Sequence, residues 1–126
     1  MANRPLSPHL QIWKWGPHML VSILHRVTGD GLALVGLGVL LWWLGAMASG
    51  PAAYATFQDH AMSWYGMVVL IGLTWAFFTH MMSGLRHFVL DMGAGYELDT
   101  NRLWSTLSPL IALLLTAGFW AFIFTK

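Results

Sequence analysis

Two short stretches of this chain hold most of the side chains able to do chemistry. The first is His80-Met81-Met82-Ser83-Gly84-Leu85-Arg86-His87-Phe88-Val89-Leu90-Asp91. At about 100° per residue, Gly84, His87 and Asp91 fall about +40°, −20° and +20° from His80, so a helix presents all four on one face. With Asp91 at the headgroup level of a membrane, His80 lies about 16 Å deeper, near mid-bilayer. An ionisable residue at that depth is a functional signal by default. One reading of such a histidine is a hydrogen bond between helices. The other is an axial ligand to haem iron, which needs a neutral imidazole at depth, a small residue one turn away, and cations nearer the aqueous edge for the propionates. His80, Gly84, and His87 or Arg86 meet these needs in order. His80 and His87 share the face, and His80 is preferred because His87 falls only about 6 Å from Asp91.

The second stretch is Ser22-Ile23-Leu24-His25-Arg26-Val27-Thr28-Gly29. Ser22 and Arg26 are four apart and share a helix face, with His25 beside them. A hydroxyl, a fixed cation and a titratable imidazole at the edge of the hydrocarbon suit a quinone. Its carbonyl oxygen needs a donor that strengthens as negative charge develops, while its tail needs access to lipid. The plainer reading makes Arg26 a snorkelling interfacial anchor.

Both stretches need helices to place them, and the composition supplies these. Of 126 residues, 57% are hydrophobic and 9% charged, with a mean hydropathy of +0.62. A soluble domain typically carries about 25% charged residues. The expected class is therefore an all-α membrane protein, with three transmembrane helices forming part of a heteromeric bundle. The reading is one membrane-anchor domain over 1–126, with an interfacial segment at 1–17 and spans at about 18–48, 61–91 and 103–125. Ser49-Gly50-Pro51 and Met92-Gly93-Ala94-Gly95-Tyr96 open short connectors rich in helix-stopping residues, neither able to fold as a domain. Gly29, Ala33, Gly36, Gly38, Gly66, Gly72 and Gly84 offer smooth faces to neighbouring helices.

Orientation follows from Lys and Arg. Arg4, Lys14 and Arg26 precede or open the first span, Arg86 and Arg102 flank the second connector, and the 49–60 connector has none. The positive-inside rule puts the N-terminus and second connector in the cytoplasm and the C-terminus outside, with only Lys126 dissenting. Trp13, Trp15 and Trp104 then mark the inner interface, and Trp42, Trp43 and Trp64 the outer one. Trp75 sits deeper, as a packing residue. The segment from Met1 to Pro17 has three prolines and no apolar core, so it does not read as a signal peptide. Its prolines favour extended chain, followed by the amphipathic patch Gln11-Ile12-Trp13-Lys14-Trp15.

A formal net charge of +1 leaves no basic surface for nucleic acid. The absence of cysteine excludes disulfides, cysteine-ligated clusters and covalently attached haem. The third span has no histidine, His25 lies near one edge of the first, and His60 lies at the far side of the second. The chain therefore supplies one haem ligand at mid-depth, and a second must come from another subunit or a symmetry mate.

Arg4-Pro5, Ser22-x-x-His25-Arg26-x-Thr28 and His80-x-x-x-Gly84-x-Arg86-His87-x-x-x-Asp91 together resemble the cytochrome b556 subunits of succinate dehydrogenase, over nearly the whole chain. Leu90 departs from the aromatic residue or Met often found there in that family. The resemblance implies a bacterial inner-membrane anchor of complex II. It also implies one haem b shared with a second small anchor, a ubiquinone site formed with the iron–sulfur subunit, and a flavoprotein that oxidises succinate. His80 becomes the haem axial ligand, His25, Arg26 and His87 lie near the propionates, Ser22 and Arg26 become quinone residues, and Asp91 orders the surface where the iron–sulfur subunit docks. The rivals are the anchor of a fumarate reductase using a low-potential quinone, a cofactor-free structural anchor, and a small transporter subunit. The transporter is disfavoured because the spans lack broken helices and paired intramembrane charges.

Overall fold

The computed structural model describes residues 14–126, so the expectations for Arg4-Pro5, the proline-rich segment and Trp13 fall outside the described residues. Helix α1 runs Pro17–Ala48. Pro17 opens it at a position where a missing N–H costs nothing. One wide π-helical turn, Leu32–Gly36, interrupts its α-helical hydrogen bonding. Gly50, at φ +101° and ψ −179°, then reverses the chain in a conformation essentially confined to glycine.

The connector expected at 49–60 is itself partly helical. Helix α2, Pro51–Ala61, starts with a proline in its first turn and packs against α1 and the next helix. Its mixed polar and apolar residues carry no long hydrophobic run, so span counting passes over it. Helix α3, Trp64–Asp91, is capped by Ser63, whose Oγ accepts the Gly66 N–H at 3.2 Å. Gly93 and Gly95, both at positive φ, turn the chain into α4, Leu98–Phe124. That helix begins before the charge-free stretch at Leu103, because the polar run from Asp99 to Arg102 contains no helix breaker, and Asp99 in its first turn complements the helix dipole. Pro109 lies inside α4.

At 1.5 Å per residue, α1, α3 and α4 are about 48, 42 and 40 Å long, enough to cross about 30 Å of hydrocarbon. All three are apolar enough to span a membrane, and each packs against the other two. Their packing inverts that of a soluble bundle. The seam is made of small residues: Ala112 is 0% exposed, Ser105 1%, Ser83 2% and Thr79 4%. Leu34 and Leu114, 77% and 72% exposed, point outward with most other large apolar side chains. Lipid provides no reason to bury Leu, so the helices associate through close backbone approach. The buried hydroxyls of Ser105, Ser108 and Thr116 bond carbonyls of their own helix, which lets polar but small side chains line the seam. This is the all-α, three-span membrane class expected from composition.

Candidate functional site

The seam between α1 and α3 holds the His80 site. Thr28 and Gly29 of α1 sit against the His80 ring of α3. A Cβ built on Gly29 would lie 2.9 Å from Cε1 and 3.3 Å from Nδ1 of His80, so glycine is what lets the imidazole lie on the α1 backbone. The Nδ1 atom is 3.1 Å from the His25 carbonyl oxygen. A carbonyl only accepts, so Nδ1 carries the ring proton and Nε2 keeps its lone pair. Thr28 Oγ1, 3.5 Å from Nδ1, gives its own proton to the Leu24 carbonyl at 2.6 Å. The His80 Nε2 has no hydrogen-bond partner among the described residues and is not enclosed. An imidazole fixed through Nδ1–H···O=C, with Nε2 free, has the tautomer and orientation of a metal ligand.

The other two histidines of the sequence motifs gather here. The His25 ring stacks on His80, with centroids 4.1 Å apart and planes 8° from parallel. His87 tilts against His25, with ring centroids 5.1 Å apart. His25 Nδ1 is buried with no partner. Gly84, one turn from His80, has nothing within 4 Å of where a Cβ would stand, so the helix surface at Gly84 is open. Among the described residues no group of three or more His, Asp or Glu is disposed to enclose a metal ion. The donor set thus fits a haem that would take a single imidazole, that of His80, from this chain, and does not fit a self-contained metal site.

A family model described as succinate dehydrogenase/fumarate reductase transmembrane subunit matches residues 1–122. The chain belongs to this family. Similar proteins include the succinate dehydrogenase cytochrome b556 subunit of Paracoccus denitrificans, 40% identical over 98 residues, 78% of this chain and 75% of that one. The b556 subunit of Rickettsia felis is 31% identical over 118 residues, covering 94% and 91% of the two chains. The mitochondrial succinate dehydrogenase cytochrome b560 subunit of Mus musculus is 33% identical over 122 residues, covering 93% and 70%.

Within this family member, Ser22 and Arg26 lie on an exposed strip of α1 beside the histidine cluster, where the four-residue spacing put them. Asp91 is exposed at the last residue of α3. Arg86 goes elsewhere: its Nη2 donates to Oδ1 of Asn101 on α4, on the side of α3 facing away from the histidines. Of the glycines singled out in the sequence, Gly29 receives His80 and Gly36 receives Leu73, whereas Gly38, Gly72 and Gly84 have no close neighbour. Sequence reasoning did not find the contact of Thr28 and Gly29 with His80. Their presence in the same short stretch as His25 and Arg26 was the available signal. The π turn at Leu32–Gly36, one helical turn beyond that contact, has no sequence signature.

Proposed function

We propose that this chain is the cytochrome b membrane-anchor subunit of a succinate dehydrogenase, acting as one anchor domain through which electrons from succinate reach ubiquinone. The names of the relatives support a succinate dehydrogenase over a fumarate reductase. The observation that carries the haem reading is the Nδ1–H of His80 donating to His25 O, which leaves Nε2 as an oriented donor. A histidine present only to join two helices would leave that Nε2 unsatisfied near mid-membrane, at a cost of about 1–3 kcal/mol.

In this reading His80 would hold a single haem b through its imidazole, and a second anchor subunit would supply the other ligand. Bound there, the haem supplies a one-electron carrier of tunable potential. His25, stacked on His80, and His87, tilted against His25, would join Arg26 in meeting the propionates. Ser22 and Arg26 bind the quinone head: the hydroxyl and guanidinium donate to a carbonyl oxygen whose negative charge grows as electrons arrive, so their hydrogen bonds strengthen as reduction proceeds. The iron–sulfur subunit closes this site and docks near Asp91, and the flavoprotein subunit delivers electrons through it. The Lys and Arg distribution supports an inner-membrane orientation with the N-terminus and the Asp91 end cytoplasmic and the C-terminus periplasmic.

The test is the dithionite-reduced minus oxidised spectrum of the purified complex, for wild type, His80→Ala and His87→Ala. A low-spin b-type signal lost only in His80→Ala is expected. A wild-type complex without haem, or a His80→Ala signal identical to wild type, would return the chain to a cofactor-free anchor.

A further inference from the structure

On the side of α3 turned away from His80, a cavity of about 300 Å³ opens between α3 and α4 near the Asp91 end of the bundle. Arg86 is six residues from His80, about 240° around the helix, so this cavity and the histidine cluster do not share a face. Leu85, Val89 and Trp104, each about half exposed, form its outer wall, and Ser108 closes it from the seam. Arg86 and Asn101 supply its charged and amide groups.

The state of Arg86 makes this more than a packing defect. Nη2 donates to the neutral amide oxygen of Asn101. Nε is buried and has no partner. No carboxylate among the described residues hydrogen-bonds to the guanidinium. A partly buried cation held only by an amide is poorly compensated, and an anion at the cavity mouth corrects that. Depth identifies the anion. Arg86 lies five residues, about 7.5 Å, from the end of α3, and Trp104 on the cavity wall has the amphipathic ring that favours the headgroup boundary. Below that level the lining is apolar apart from Ser108, whose hydroxyl is bonded to the Trp104 carbonyl.

We propose that this cavity is a phospholipid site, in which Arg86, held by Asn101, binds the phosphate of an anionic phospholipid and the groove bounded by Leu85, Val89 and Trp104 takes the upper part of an acyl chain. Basic pockets between transmembrane helices recognise anionic lipid by this combination of charge and apolar depth. The site is independent of the haem and quinone readings.

The experiment uses the intact complex in detergent. After extensive washing, wild type is expected to retain an anionic phospholipid detectable by mass spectrometry. Arg86→Gln is expected to lose about tenfold or more of it, Arg86→Lys to lose less, and all three to keep the same b-type spectrum. Val89→Trp, which fills the groove and leaves Arg86 in place, is expected to lower retention as well. Phosphatidylglycerol added to the delipidated wild-type complex should raise its unfolding temperature, and phosphatidylcholine or inorganic phosphate should not. A second measurement needs no variant: phosphatidylglycerol with a photoreactive acyl chain should label residues within 82–90 or 101–108. Equal retention by wild type and Arg86→Gln, equal stabilisation by phosphatidylcholine or phosphate, or labelling only outside those residues would overturn the proposal. Labelling of a partner polypeptide seated in the groove would overturn it too.

Discussion

The imidazole of His80 on α3 is fixed by the backbone of His25 on α1, with 3.1 Å between Nδ1 and the carbonyl oxygen. Fifty-five residues separate the two in sequence, and the bond forms because α1 carries Gly29 where the ring must lie. The two motifs are therefore one site, with one helix supplying the imidazole and the other setting its tautomer.

Gly29→Ala tests this directly. The new methyl would stand 2.9 Å from Cε1 of His80, closer than such contacts tolerate, so the ring has to rotate off the His25 carbonyl. The expected outcome is lower haem content or a shift toward a high-spin spectrum, together with about 1–3 kcal/mol of destabilisation from overpacking. Thr28→Val is the matched control. Its hydroxyl donates to Leu24 rather than to the ring, so the low-spin spectrum should persist. An unchanged spectrum in Gly29→Ala would show that the close contact does not hold the ligand.

Ser22 and Arg26 should separate two activities of the complex. On the proposed quinone reading, Arg26→Leu removes a charge-assisted donor to the quinone oxygen and should lower succinate–ubiquinone reductase activity about 10²-fold or more. Ser22→Ala removes one neutral hydrogen bond and should lower it by about three- to tenfold. Reduction of a water-soluble dye by the succinate-oxidising subunits should stay near wild type in both. Equal loss of the two activities would mean that these substitutions break assembly instead of quinone binding.

Much of this was legible in the sequence, for reasons that differ between fold and site. The spans follow from composition because lipid imposes a long uncharged run on any helix that crosses it. Helix α2 and the early start of α4 at Leu98 escaped that criterion, since mixed polar residues such as those of 97–102 permit a helix without announcing one. Periodicity placed His80, Gly84 and His87 on one face of one helix. It says nothing about which residue of another helix meets them, and so it could not pair His80 with Gly29. For Arg86, helical spacing left His87 and Arg86 as alternative cations near the edge. The fold separates them, setting His87 against His25 and Arg86 against Asn101.

The seam gives a prediction about folding that does not involve any cofactor. Ala112 on α4 is completely buried, and the hydroxyl of Thr116 is bonded to its carbonyl at 2.8 Å, so the helix surface there is made of small groups. Ala112→Leu inserts three carbons at a fully buried position of the seam. It should destabilise the bundle by about 1–3 kcal/mol and lower the yield of assembled complex. Leu114, two residues away, is 72% exposed and faces lipid or another subunit. Leu114→Ala removes as many carbons as the first substitution adds, without touching the seam, so thermal unfolding of this chain should move little. In a soluble bundle the sign of the comparison would run the other way, because truncating a large apolar side chain is there the costly change. Thermal unfolding of the purified complex with both variants therefore tests the inverted packing itself. A Leu114→Ala variant less stable than Ala112→Leu would show that the large side chains, and not the small-residue seam, hold these helices together.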